Sequence, residues 1–436
     1  MAQVEAAVSS RSDRPVELWR NRSFLLLFTA QVISLLGSGA TTIGLALFAY
    51  KMAGADSVTA VVGNALTLRI LAFLLFSQPA GVLADRVDRK TILIASDLVR
   101  AALLLFLPFA TAVWHIYVLI FLLNAVTAFF TPTYEASVPS VAGERQVVKA
   151  LSLSRVAVDI EAVAAPAVAG IIVAIFGARW VFWFDAATYL VSAGLVVAAT
   201  VPRASRVTTP LSARAFASEI THGTRAILRE PALRLAILLS FVEALAGAVA
   251  IVTTVAYVRN VLGRGEIAVA IAMATVGLGS SLAAIILGRV TGRYEAGTRA
   301  KAVLHEKRHT WSRRALVMGA FCLGLVLLPG VFIPSFAVLT VLSALNGAGQ
   351  ALIAIPSSTL LAEHTFEEER GRVYAAHFAL THACWLVTYP AVGHAAAQWG
   401  TPVTMTVAGF ACLVVATLGW LSSRSVAAHV HERGLP

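Results

Sequence analysis

Charged residues are scarce in this sequence of 436 residues. Only 13% of the residues are Asp, Glu, Lys or Arg, whereas 58% are hydrophobic. A soluble domain has about a quarter of its residues charged. So few ionisable groups cannot coat a water-soluble particle of this length, and the composition therefore indicates that lipid is the main solvent.

Cysteine is also rare. The three cysteines, Cys322, Cys384 and Cys412, all fall within apolar runs. An odd number at such positions argues against a disulfide framework. We interpret them as small apolar packing residues and keep Cys384 as a candidate ligand.

Motifs of two enzyme classes are missing. The sequence contains neither His-Glu-x-x-His nor Gly-x-Ser-x-Gly, which argues against a membrane-embedded hydrolase. The nearest candidate for a phosphate-binding loop, Gly277–Ser281, has no Gly-Lys-Ser/Thr and lies within an apolar run, so we interpret it as helix packing. Active transport would then depend on an ion gradient, and a passive channel or an inactive scaffold is the alternative. We expect no cofactor.

Apolar stretches long enough to cross about 30 Å of hydrocarbon recur throughout the chain. They predict an all-α polytopic membrane protein with twelve transmembrane helices in two six-helix bundles, 24–200 and 233–422. The helices are predicted near 24–50, 58–83, 91–112, 115–138, 155–176 and 179–200, and then near 233–258, 266–288, 315–330, 334–360, 373–396 and 402–422. The central segment 201–232 includes a predicted amphipathic surface helix over 213–230.

The distribution of basic residues predicts the orientation. With the N-terminus inside, 28 of the 34 Lys and Arg residues lie on or near the cytoplasmic side, and 4 lie on the other side. This asymmetry follows the positive-inside rule. We therefore predict a protein of the cytoplasmic membrane whose ends, 1–23 and 423–436, are both cytoplasmic and are retained. The net charge of +11 reflects this layout, so we expect no binding to nucleic acid.

A loop rich in charge follows the second predicted helix. Its sequence is Gly81-Val-Leu-Ala-Asp85-Arg86-Val-Asp88-Arg89-Lys90. The glycine allows a close helix approach, Asp85 can face a helix N-terminus, and the three cations can pair with acids across the cytoplasmic face.

This loop resembles the signature loop of the major facilitator superfamily, with Asp88 in place of its second glycine. A weaker copy, Gly288–Glu295, follows the eighth predicted helix. The resemblance implies the two-bundle transporter fold of that superfamily. It also implies a conformational latch in this loop (Gly81, Asp85, Arg86, Arg89 and Lys90), in which Asp85 and Arg86 hold the outward-open state against the eleventh helix.

Three further segments narrow the resemblance to one branch. Asp97–Arg100, Phe130–Pro139 and Asp185–Ser192 look like segments of the macrolide and catecholate-siderophore exporters. The fourth helix lacks an arginine and has Asn124 as its strongly polar residue, and the antiporter motif of the fifth helix survives only as Ala164–Gly170. Proton antiport is therefore implied by the branch and not by these motifs.

Ionisable residues within predicted spans are functional candidates, because each costs a few kcal/mol or more in lipid. Arg155 and Asp159 are four residues apart and are predicted to pair, whereas Glu161 faces another direction. Arg69 is expected to answer an acid on a neighbouring helix. We assign substrate or proton binding to Arg69, Glu135, Asp159 and Glu161, with structural pairing as the alternative.

The eleventh predicted helix contains three histidines, His377, His382 and His394, together with Cys384. A single histidine in a helix more often bonds a backbone carbonyl, but three in one span are unusual. Imidazole suits nickel, cobalt, copper and zinc, and it can also carry protons. His377 and His382 are therefore candidate metal ligands, helped by acids from other helices.

The segments Leu151–Asp159 and Arg372–Trp385 resemble nickel-resistance exporters of the same branch, although the His-rich tail of those proteins is reduced here to His429 and His431. The hypothesis is a monomeric secondary exporter that exchanges nickel or cobalt for protons by alternating access. The alternative cargo is an amphipathic macrolide-like drug or a siderophore. The partners of the exporter would be either cargo, protons and the lipid bilayer. We expect the binding site near the midplane of the membrane, between the bundles.

Overall fold

The computed structural model of the protein describes residues 18–84, 87–143, 146–202, 213–296, 301–333, 335–365 and 370–432. Within these ranges the chain is helical apart from short turns, and it contains no strand. The first six transmembrane helices form one bundle and the last six form another, and a short helix over Ala213–Arg229 joins the two bundles. The twelve-helix prediction is confirmed, whereas the exact limits of the two bundles stay a prediction.

The first two spans form a helical hairpin over Arg22–Ala84 that is broken at a single residue. We call its arms α1 (Arg22–Gly54) and α2, whose apolar span is Ser57–Ser77. Gly54 has a φ of 75° and a ψ of −179°. Side chains other than hydrogen are strained at such a positive φ, so glycine is the residue that permits this reversal.

The remaining helices follow in order along the chain. They are α3 (Arg89–Phe106), α4 (Val113–Ala142), α5 (Val147–Phe176), α6 (Trp180–Ala198), α7 (Ala213–Arg229), α8 (Pro231–Ala256), α9 (Glu266–Ala296), α10 (Lys301–Leu327), α11 (Phe336–Glu363), α12 (Arg370–Trp399) and α13 (Thr401–Glu432).

Every predicted span overlaps one of these helices. Among the described residues, ten stretches are long and apolar enough to cross a membrane. The ninth span, predicted near 315–330, is Thr310–Phe332 in the structure, and most of it lies in a helix that begins at Lys301. Hydropathy locates the part of a helix within hydrocarbon, and a helix can continue beyond it through charged residues.

The outer surface of the two bundles is apolar. Large side chains such as Phe106, Phe109, Ile175 and Phe332 are 65–82% exposed. An apolar surface of this kind is unfavourable in water and matches a hydrocarbon environment.

Two faces of the molecule can be distinguished by the connections between helices. The short-turn face carries the α1–α2, α5–α6, α8–α9 and α12–α13 turns, at Gly54, Gly177, Gly263 and Gly400. The termini face, at the other end of the helices, carries the start of α1 and the end of α13.

The second bundle contains a very close crossing between α9 and α11. A methyl group added to Gly279 would lie 1.8 Å from the carbonyl oxygen of Ala344, and one added to Gly347 would lie 1.8 Å from that of Val276. Backbones can approach this closely only where small residues face each other. The interpretation of Gly277–Ser281 as helix packing is confirmed.

Candidate functional site

A cavity of about 300 Å³ lies between the two bundles. Its lining residues are Gly39, Thr42, Ile43, Glu161, Ala165, Gly247, Ala250, Ile251, Met273, Val276, Gly277, Ser280, Gly347 and Gln350. Gly39, Glu161 and Gln350 lie near the midpoints of α1, α5 and α11. We call this space the central cavity; it has the position expected for a site at mid-depth between two repeats.

Glu161 is the one ionisable side chain among the described residues that line the central cavity. It lies against α1 because Gly39 has no side chain: a methyl group there would be 2.9 Å from Glu161 Oε1 and 2.5 Å from the Cβ of Ala165. The rest of the lining is apolar, small or neutral, so Glu161 determines the charge that the cavity presents.

Arg69, on α2, is the cation that interacts with Glu161. Its Nη1 donates to Thr42 Oγ1 at 3.4 Å, and Thr42 itself lines the central cavity. Phe73, one helical turn beyond Arg69 on α2, stacks on His382 of α12 with ring centroids 6.3 Å apart. Arg69 therefore lies where α2 of the first bundle faces α12 of the second.

A second, smaller space lies inside the first bundle. This inner pocket, of about 70 Å³, is lined by Ser38, Thr41, Thr42, Leu45, Leu66, Arg69, Ile120, Leu123, Asn124, Thr127, Asp185 and Tyr189. Thr42 lines both the inner pocket and the central cavity. One hydroxyl group and the adjacent Arg69 side chain therefore separate the two spaces.

The interior of the first bundle contains a buried ion pair. Arg100 bonds Asp97 one helical turn away on α3, and the two residues are 3% and 0% exposed. The guanidinium lies 4.1 Å from the ring centroids of both Phe130 and Tyr189. Ser192 donates to Asp97 at 2.7 Å. The three branch segments identified in the sequence thus meet at one point in the fold.

The histidines of α12 have local partners. His382 and His394 each donate from Nδ1 to the carbonyl oxygen four residues earlier, at 2.9 Å. His382 also stacks on Phe378, with ring centroids 3.7 Å apart, and His377 Nε2 lies 3.4 Å from Ser357 Oγ. Two of the three histidines therefore make the carbonyl bond that a lone helical histidine commonly makes.

No group of three His, Cys, Asp or Glu side chains comes together in the part of the chain that the structure describes. The side chains of Arg155 and Asp159 lie outside that part, so their predicted pairing is not described. Glu135 is exposed on α4, eleven residues beyond Asn124, which places it on nearly the same helix face and about 16 Å nearer the termini face.

The predicted latch is described only in part, since Asp85 and Arg86 lie outside the described residues. Gly81 lies within the last turn of α2, in a helix that ends at Ala84. Arg89 Nη1 donates to Ala136 O at 2.8 Å, and Lys90 Nζ donates to Val197 O at 2.6 Å and Ala199 O at 2.9 Å.

The described partners of Arg89 and Lys90 are these carbonyl oxygens near the ends of α4 and α6, where a cation favours the negative end of the helix dipole, and the hydroxyl group of Ser140, 3.2 Å from Arg89 Nη1. The pairing of the loop with acids stays a prediction. Asp88, which replaces the family's glycine, caps α3 by accepting from Thr91 N at 3.3 Å.

The two bundles contact each other closely at the short-turn face. Tyr50 of α1 donates to Asn260 at 2.6 Å, and Lys51 pairs with Glu266 of α9 at 2.8 Å. Deeper in, a methyl group on Gly63 of α2 would lie 3.1 Å from Gly393 Cα on α12. These contacts close the central cavity from the short-turn face.

Sequence reasoning missed several of these residues. Asp185 was noticed only as part of a family segment, because nothing in the sequence shows that it is fully buried beside a pocket. Gly39, Gly247 and Gln350 carry no signal of their own, since small residues and amides occur in many spans. A pattern of glycines at mid-span on α1, α8 and α11 is the one feature that could have indicated them.

The fold is shared with known proteins. A family model described as "Major Facilitator Superfamily" matches residues 27–304 and 309–434. An uncharacterized MFS-type transporter, YfiS, from Bacillus subtilis (strain 168) is 26% identical over 411 residues, which cover 91% of this chain and 92% of that protein.

A macrolide efflux protein A from Streptococcus pyogenes is 26% identical over 185 residues, 41% of this chain and 45% of that protein. Among solved structures, a bacterial homolog of the human lysosomal transporter Spinster, in an inward-facing and unoccupied conformation, superposes with a TM-score of 0.72 at 14% identity. The superposition covers 93% of this chain and 97% of that one, and it is a likeness of fold.

Proposed function

We propose that this chain, which belongs to the Major Facilitator Superfamily, exports an amphipathic organic molecule with a basic group in exchange for protons. The central cavity would hold the cargo, with Glu161 facing its positive charge. The two bundles would rock about this cavity, so that it opens to one side of the membrane at a time.

The observation that carries this proposal is the lining of the central cavity. Its described residues are apolar, small or neutral except for Glu161. Apolar walls with a few polar groups suit an amphipathic organic ligand, whose orientation the polar groups determine. A single carboxylate favours a cation and disfavours an anionic catecholate siderophore.

Metal export has less support. Nickel or cobalt would need several nitrogen, sulfur or oxygen ligands, and His382 could offer only Nε2, because its Nδ1 bonds a backbone carbonyl. The part of the chain that is described brings no three such ligands together. His377 and His382 remain proposed as proton-carrying or cargo-facing groups on α12, and Asp159 and Glu135 remain candidates for the same roles.

The orientation belongs to the same proposal. If the basic segments lie in the cytoplasm, the termini face is cytoplasmic and the short-turn face is external. The contacts at Lys51–Glu266 and Tyr50–Asn260 would then close the cavity from the outside. This arrangement would let cargo enter from the cytoplasm of the cell whose membrane holds the protein.

The experiment is an efflux assay in a bacterial strain that lacks its own drug pumps. Cells expressing the wild-type chain are loaded with ethidium, a lipophilic cation, and tested for growth on erythromycin, a macrolide with one basic amine. We expect reduced ethidium accumulation that a protonophore abolishes, and loss of this activity in Glu161→Gln. His382→Ala is expected to lower it by less than Glu161→Gln does.

Growth on excess nickel distinguishes the competing cargo. Wild-type expression should leave nickel sensitivity unchanged. If expression instead gives nickel tolerance that His382→Ala removes, while ethidium and erythromycin are unaffected, organic export is wrong and metal export replaces it. Ethidium efflux that ignores the protonophore would contradict the proton exchange alone.

A further inference from the structure

We propose that Asp185 is a second proton-binding residue of the transport cycle, in contact with the central cavity through the inner pocket of the first bundle. The inference rests on the proposed function, because it assigns the exchanged proton to a group other than the one that faces the cargo. Four observations support it.

The first observation is the burial of Asp185. Its side chain is 0% exposed at the centre of the first bundle. Thr41 Oγ1 donates to Asp185 Oδ2 at 2.6 Å, and Thr188 Oγ1 lies 3.2 Å from Oδ1. A methyl group on Gly37 would lie 2.3 Å from Oδ1, so the backbone of α1 makes room for this carboxyl group. Its direct bonding partners are thus neutral hydroxyl groups.

The second observation is the local charge balance. Arg100 lies 4.1 Å from the ring centroid of Tyr189, one helical turn beyond Asp185, and it is already bonded to Asp97. Two buried carboxyl groups therefore share one guanidinium. If both were ionised, one negative charge would remain in a water-poor interior, where an unpaired charge costs several kcal/mol. A bound proton on Asp185 removes that excess.

The charged groups that surround Asp185 leave its own negative charge without compensation, because their positive and negative charges are equal in number. The charged ones are Arg69 on α2, across the inner pocket, Asp97 and Arg100 on α3, and Glu161 on α5. The described groups from α1 and α4, which include Thr41 and Asn124, are neutral. Tyr189 on the same helix donates to or accepts from Ser38 at 2.8 Å.

The third observation is a route for protons. The inner pocket of about 70 Å³ has room for several waters, since one water needs about 10–15 Å³ of such space. Its polar lining offers the hydrogen bonds that buried waters require. Thr42 and Arg69 stand between this pocket and the central cavity, so a short chain of waters and one hydroxyl group would link Asp185 to the cavity.

The fourth observation is that Asp185 and Glu161 both pack against the same turn of α1. A methyl group on Gly37 would lie 2.3 Å from Asp185 Oδ1, and one on Gly39 would lie 2.9 Å from Glu161 Oε1. Two nearby carboxylates oppose each other's ionisation. A cationic cargo beside Glu161 cancels that negative charge, and Asp185 can then release its proton through the inner pocket to water. When the cargo leaves, a proton from water binds Asp185 again. One proton is exchanged for one positive charge, so the net charge of the site stays constant.

The first test needs no cargo. Infrared difference spectra of the purified full-length protein are recorded while the pH is changed, and the C=O stretching band of protonated carboxyl groups is followed. We expect a band in the wild type that is lost in Asp185→Asn and retained in Glu266→Gln, a matched change at the short-turn face. A band that persists unchanged in Asp185→Asn overturns the proposal.

The second test uses proteoliposomes with ethidium as the probe and pyranine inside as a pH indicator. Asp185→Asn should keep downhill ethidium exchange within about twofold of the wild type and lose proton movement at least tenfold. Equal proton movement in Asp185→Asn and the wild type contradicts the role of Asp185. If the wild type moves no ethidium, organic export fails, and the infrared band still decides whether Asp185 binds a proton.

Discussion

The centres of the two bundles are built from different chemistry. The first bundle buries Asp97, Arg100 and Asp185, whereas the buried polar residues described in the second bundle are Ser, Thr and Asn, without a charge. The second bundle instead brings α9 and α11 together at Gly279 and Gly347. Two halves that share a helix plan have therefore separated their roles: charge lies in the first, and close backbone packing shapes the second.

This difference has a functional meaning for the central cavity. The second bundle supplies most of its small and apolar wall from α8, α9 and α11, and the first supplies Glu161. Titratable groups connected to that carboxylate extend away from the cavity into the first bundle. Changes in either bundle should therefore produce different defects.

The largest effect is expected from breaking the close packing of the second bundle. Gly279→Val places a side chain where even a methyl group would lie 1.8 Å from the Ala344 carbonyl oxygen, so α9 and α11 must separate. We expect loss of monodisperse protein on size-exclusion chromatography in detergent. Gly194→Ala on α6, where the added methyl group meets nothing within 4 Å, is the control. A Gly279→Val protein with an unchanged melting temperature would contradict this assignment.

The next effect tests the charged centre of the first bundle. Arg100→Met leaves Asp97 buried without its cation, which costs about 3–5 kcal/mol, and should lower the melting temperature of the purified protein markedly. The double variant Asp97→Leu with Arg100→Met removes both charges and should recover much of that stability. A double variant as unstable as Arg100→Met would show that the instability does not come from the uncompensated charge of Asp97 alone.

A smaller, more selective effect is expected where the bundles meet. Gly39→Ala directs a methyl group towards Ala165 and the carboxylate of Glu161, which narrows the cavity while the flexible Glu161 side chain gives way. We expect ethidium efflux to fall several-fold with little change in melting temperature. Adding Ala165→Gly moves the methyl group from one helix to the other and should restore part of the efflux. Unchanged ethidium efflux in Gly39→Ala would show that Gly39 does not shape the binding site.

The smallest effect concerns the exposed ion pair at the short-turn face. The Lys51 side chain is 52% exposed, and exposed pairs contribute about 1 kcal/mol or less. Lys51→Ala should therefore change the melting temperature by at most a few degrees. Exchanging the charges, Lys51→Glu with Glu266→Lys, should return it to the wild-type value. A larger loss would mean that this exposed contact, and not the deeper approach of Gly63 to Gly393, holds the two bundles together.

The fold was predictable from the sequence because lipid simplifies the problem. Hydrocarbon thickness determines the length of each apolar run, and the basic residues divide between two sides. The helical start of α10 was not predicted by hydropathy, because residues 301–314 are rich in charge and still helical. Hydropathy detects the solvent around a helix and not the helix itself.

The site was only partly predictable. Glu161 and Arg69 stood out because an ionisable group at mid-span is costly, but the sequence could not show that they face each other across helices. In the sequence, Asp185 is only the first residue of a segment that resembles a family. Its candidacy as a functional residue depends on its burial and on its neighbours from α1 and α3, which the sequence does not show. The histidines of α12 were assigned as candidate metal ligands, and residue spacing could not show that His382 and His394 bond backbone carbonyl oxygens of their own helix. Their role in transport stays a proposal.

The polarity of α12 has a consequence for how the chain enters the membrane. With three histidines it is less apolar than most other spans, and a translocon inserts such a segment poorly by itself. Its Gly393 meets Gly63 of α2, a helix synthesised long before it. We expect α12 to enter lipid by docking onto that older hairpin, so that in glycosylation mapping Gly63→Leu would leave α12 untranslocated in a fraction of chains. Joining of the two bundles would then be a step of biogenesis itself, and not an event after it.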